Sequence, residues 1–64
     1  MNVEIIVIWD PVAGKVRNVK DVRVSTYETG QVVEFTVIGA HREWPMFVPL
    51  DKFRETNPGV SLKE

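Results

Sequence analysis

Three observations predict a mainly β fold, a meander of four or five antiparallel strands with a short C-terminal helical turn. Residues 31–38 alternate, with Val33, Phe35 and Val37 on one side and Glu34 and Thr36 on the other, the period of a strand with one buried face. Turn-forming residues bracket that stretch, and both turns set apolar residues opposite apolar ones. With Thr29 and Gly30 at the centre of the first turn, Thr26 faces Val33, Val24 faces Phe35 and Val22 faces Val37. Across a second turn at residues 39–42, Val37 meets Trp44, Phe35 meets Met46 and Val33 meets Val48. The third observation is the change of pattern after Pro49, where residues 50–56 have helical composition. A one-residue slip at either turn would place Glu34, Thr36 or Glu43 against apolar partners, so the alternation selects loops of even length.

Taken in order, residues 3–9 read as the first strand, rich in β-branched side chains and ended by Asp10 and Pro11. Its odd positions, Val3, Ile5, Val7 and Trp9, make a continuous apolar face. Ile6 and Ile8 make the even face apolar as well, as expected of a strand covered on both sides. Residues 10–15 hold Pro11 and Gly14 and form a hairpin loop. In the second strand, from Val16, the apolar spacing steps by three between Val19 and Val22 where alternation needs two. That step predicts a β-bulge around Lys20 and Asp21, which bends the strand.

Pro45 cannot donate a ladder hydrogen bond, so the fourth strand is expected at a sheet edge. Asp51 falls in the first turn of the helix, where the backbone dipole favours negative charge. Asn57, Pro58 and Gly59 stop the helix. Residues 60–62 offer a short fifth strand beside the first, and Lys63 and Glu64 are expected to fray. Strands, turn and returning strand together describe a small SH3-like barrel, and residues 42–53, from Arg42 through Trp44, Pro45 and Pro49 to Phe53, resemble the end of such domains, where a strand runs into a Pro-led single turn. The acidic, tyrosine-rich first-loop pattern of peptide-binding SH3 domains is missing, so their proline-rich ligand groove does not carry over. The alternative is an α+β reading, an open antiparallel sheet with the helix packed on one face.

The chain has 64 residues and is read as one domain, 1–64. A chain this short buries about 60% of the surface it exposes when unfolded, so its core alone gives slender stability. Cysteine is absent, which excludes disulfides, and His41 is the only imidazole, which argues against a structural metal site. Association with another chain is the remaining common support. The longest apolar run, residues 5–9, falls far short of the roughly 20 residues a helical span needs, and the N-terminus carries neither a basic leader nor a small-residue cleavage site. No membrane anchor and a cytoplasmic location are expected. The formal charge of −1 gives no global field for polyanions.

Catalysis finds no pattern. Ser25 is expected in mid-strand, His41 in a turn and Ser61 in the tail, which pairs no nucleophile with a base. Glu34 and Glu43 lie on adjacent strands, but in this register they face Phe47 and Ile38, as exposed strand positions do. Gly14 and Lys15 lack the spacing of a phosphate loop. No catalytic residue, cofactor or metal is assigned.

Two binding patterns are left. With the Phe35 face assigned inward, the opposite side carries Ile6, Ile8, Ile38, Phe47 and Tyr27 as an apolar patch, which on a small domain marks contact with a protein partner or a second copy. Lys15, Arg17, Lys20 and Arg23 put four of the eight basic residues within nine positions. With Tyr27 nearby, they offer the alternative of a nucleic-acid-binding barrel, cations on phosphates and a ring on a base. The leading expectation is a non-enzymatic interaction module, self-associating or bound to a protein.

Overall fold

The computed structural model describes residues 4–62, so the predicted start of the first strand at Val3 and the fraying of Lys63 and Glu64 lie outside the described residues. Four antiparallel strands, β1 (Ile6–Asp10), β2 (Lys15–Tyr27), β3 (Gly30–Ile38) and β4 (Glu43–Pro49), form one open sheet in the order β1-β2-β3-β4, followed by a helix, α1 (Leu50–Thr56). This is the open-sheet alternative rather than a closed barrel. Residues 60–62 form no strand; Val60 and Leu62 pack half-buried against the core instead.

The β3–β4 register is as predicted: Val33 opposite Val48, Phe35 opposite Met46, Val37 opposite Trp44. β4 is an edge strand, which accommodates Pro45. The β2–β3 turn is centred one residue earlier than expected, on Glu28 and Thr29, which slips the register by two, with Tyr27 opposite Gly30 and Val24 opposite Val33 rather than Phe35. Alternation cannot see this difference, because a slip of two returns every side chain to its own face. The bulge is present between Lys20 and Arg23, and Asp21 there has φ +56°. It absorbs one residue, which together with the two-residue slip at the turn sets Val19, not Val22, opposite Val37.

That one-residue shift reverses the expected phase of β1. Asp10 pairs with Lys15, Ile8 with Arg17 and Ile6 with Val19. Because directly opposed residues share a face, Ile6 and Ile8 join the side of Val19 and Val37. Ile8 is fully buried and Ile6 half-buried, while Ile5, Val7 and Trp9 face outward. The core is therefore Ile8, Val19, Val33, Phe35, Val37 and Val48 of the sheet, covered by Leu50 and Phe53 of α1. The Phe35 and Phe53 rings lie 6.3 Å apart, tilted by 44°.

The turn from β1 to β2 is organised by Asp10. Its carboxylate accepts hydrogen bonds from the backbone N–H groups of Val12 (2.9 Å) and Ala13 (3.1 Å), and Gly14, at φ +69°, donates to the Asp10 carbonyl at 2.7 Å. At the other end, α1 carries the chain from β4 back to β1. Asn57, its C-terminal cap, accepts a hydrogen bond from the Trp9 N–H (2.6 Å) and donates to the Trp9 carbonyl (2.9 Å). One side-chain amide thus takes the place of a neighbouring strand at that point of β1.

Candidate interaction surface

The uncovered face of the sheet has two apolar ends and a polar middle. At the β1–β2 end stand Ile5 and Val7, each 58% exposed, Trp9 at 43%, Val16 at 58% and, in the turn, Val12 at 76%. Trp9 and Val16 are directly opposed, which makes them one surface. At the far end Tyr27 and Phe47 are exposed, and with Thr29 and Val32 they line a shallow cavity of about 250 Å³.

Polar pairs separate the ends. Lys20 Nζ lies 2.7 Å from Glu43 Oε1, and this contact raises the lysine pKa above its ordinary value. The Glu34 carboxylate accepts hydrogen bonds from the Ser25 hydroxyl and from Tyr27 Oη at 3.2 Å, with Arg23 Nε 3.9 Å away. These contacts, the Ser25 bond foremost, hold Glu34 below the usual carboxylate range, and the same carboxylate raises the Tyr27 pKa.

Of the residues expected to form the apolar patch, Ile38, Phe47 and Tyr27 do lie on this outer face, whereas Ile6 and Ile8 do not. Their places are taken by Ile5, Val7, Trp9 and Val16. A signal for this existed in the sequence. Carrying the Lys20–Asp21 bulge through the phase count puts Val19 inward, and a four-residue loop after Asp10 then turns the even positions of β1 inward with it.

The four cations are not brought together. Lys20 and Arg23 are on the outer face, each beside a glutamate, while Arg17 is on the inner side with its Nε 3.4 Å from the buried Asp10 carboxylate. Lys15 is exposed at the hairpin. Arg17 also stacks on Trp44, its guanidinium carbon 5.6 Å from the ring centre, and Arg42 lies 5.3 Å from the same ring. Trp44 in turn rests against Gly39, where a Cβ would come within 2.7 Å of the ring. Glu34 and Glu43 are each engaged with a cation, and His41 is exposed in its turn. Among the described residues no three potential metal-ligating side chains cluster, and no helix is long and apolar enough to cross a membrane.

Against protein-family models, curated proteins and solved structures, the chain finds no match.

Proposed function

We propose that this protein is a non-enzymatic interaction module whose contact surface is the outward face of the β1–β2 hairpin. The observation that carries the reading is the exposure of Ile5, Val7, Trp9 and Val16 on one side of a chain this small, with Val12 exposed in the adjoining turn. Scattered apolar side chains are ordinary on protein surfaces, whereas a contiguous group signals a partner. Here Ile5, just ahead of β1, and Val7 and Trp9 within it alternate, with Val16 opposite the tryptophan on the next strand. Burying them against another chain would add to a core of eight residues the apolar contact that its size leaves wanting. Within the same proposal the module works in the cytoplasm, a compartment compatible with a cysteine-free chain.

The test is sedimentation equilibrium across the micromolar range, on the wild type and on a Val7→Ser/Val16→Ser variant. Association of the wild type that weakens at least tenfold in the variant supports the reading. A wild type that stays monomeric at high micromolar concentration and binds no other chain overturns it.

A further inference from the structure

Resting on the reading of an interaction module, we infer that the partner is a second copy of this chain, joined edge to edge through β1 to make one continuous eight-stranded sheet on which the two apolar outer faces lie side by side. The two outer edges of the sheet are unlike. On β4, Pro45 and Pro49 stand opposite Thr36 and Val32. Neither proline has an N–H, so the edge positions they occupy cannot donate to a further strand. β1 has no proline. Since the Trp9 N–H and C=O point away from β2 to reach Asn57, alternation directs the same groups of Val7 and Ile5 outward as well. Among the described residues nothing bonds to them.

Asn57 also narrows the register. With Trp9 already engaged, the outward groups that the described residues offer a new strand are those of Ile5 and Val7. Two copies related by a twofold axis meet this condition when Ile5 opposes the partner's Val7, Val7 opposes the partner's Ile5 and Ile6 lies on the axis facing its own copy. Each of the two hydrogen-bonded pairs exchanges two backbone bonds. The strand is suited to pairing with itself: Ile5 and Val7 meet on the outer face, Ile6 meets Ile6 on the inner, and Glu4 falls opposite Ile8 rather than opposite another acid. Such an isologous contact closes on itself and stops at two chains. The Trp9 and Val16 pairs flank it on the outer face.

Val7→Pro tests the inference, because the substitution removes an N–H that points outward and leaves the β1–β2 ladder bonds in place. In sedimentation equilibrium the wild type is expected to dimerise and Val7→Pro to lose at least tenfold in affinity, with its circular dichroism retained. Should Val7→Pro fail to fold, Ile6→Cys decides. Across the axis the two sulfurs are close enough to bond, so oxidation is expected to link the chains rapidly, while Asn18→Cys on β2 stays unlinked. A wild-type dimer that is unaffected by Val7→Pro, or that leaves Ile6→Cys unlinked, overturns the edge pairing while the apolar-face reading stands. A monomeric wild type overturns the edge pairing, and one that also binds no other chain overturns both.

Discussion

The side chain of Asn57 pairs with the backbone of Trp9, 48 positions away, through one accepted and one donated hydrogen bond. It ties the end of α1 to the edge of β1 opposite the strand from which the helix sets out. Asn57 is buried, so the Trp9 groups it serves would be left unpaired without it. Asn57→Ala is expected to destabilise the fold by about 2–3 kcal/mol, the range for stranded buried polar groups. Asn57→Asp keeps the acceptor but sets a carboxylate against the Trp9 carbonyl, and should fare no better at neutral pH. Urea unfolding of the three proteins checks both.

Asp10 holds the first hairpin while lying wholly inside, with Arg17 as its cation. Removing the cation strands the charge, whereas removing the charge alone keeps the turn acceptor. Arg17→Ala is expected to lose about 2–4 kcal/mol, approaching the cost of breaking a buried pair. Asp10→Asn should lose less, about 1.5–2 kcal/mol, because the amide keeps an acceptor for Val12 and Ala13 and gives up the charge-assisted contact to Arg17. Chemical denaturation of the single and double variants would reveal the coupling, and equal losses for the two single variants would count against it.

Gly39 is needed for closeness. A Cβ there would lie 2.7 Å from the Trp44 ring and 2.9 Å from the Arg42 carbonyl. Gly39→Ala should destabilise by about 1–3 kcal/mol, as overpacking does, and shift the indole resonance of Trp44. Gly39→Ala in a Trp44→Leu background should recover part of the loss if the ring is the obstacle.

Glu34 titrates lower in the folded chain than its ordinary value of 4.5, chiefly through the Ser25 hydroxyl. A depressed folded pKa means a contribution fully present above the unfolded value and lost as pH falls through the folded one. Stability should therefore decline below about pH 4.5 more steeply in the wild type than in Glu34→Gln, as thermal melts at pH 3 to 7 would record. Parallel curves would mean that the Ser25 and Tyr27 contacts add nothing.

Much of the fold was legible, and the misreadings have physical causes. β3, β4 and α1 could be read because Glu34 and Thr36 separate Val33, Phe35 and Val37 and the prolines punctuate. β1 could be phased only by carrying the bulge through its pairing, since it is apolar on both faces and that pairing decides which side turns in. That pairing depends on a bulge upstream of the hairpin register, where Asp21 adopts a left-handed conformation. One residue there moved Ile6 and Ile8 inward and left Ile5, Val7 and Trp9 outside. The basic run looked continuous in sequence, but strand alternation sent Arg17 to one face and Lys20 and Arg23 to the other. The pairing of Asn57 with Trp9 had no local signature at all, because its partners meet only after the helix has crossed.

The most direct measurement is an isotope-filtered nuclear Overhauser experiment on a mixture of labelled and unlabelled chains. Intermolecular contacts are expected from the Ile5 and Val7 methyl groups and the Trp9 ring to the same strand of a second chain. Filtered spectra empty at high concentration, or showing contacts only around Tyr27 and Phe47, would contradict pairing through β1.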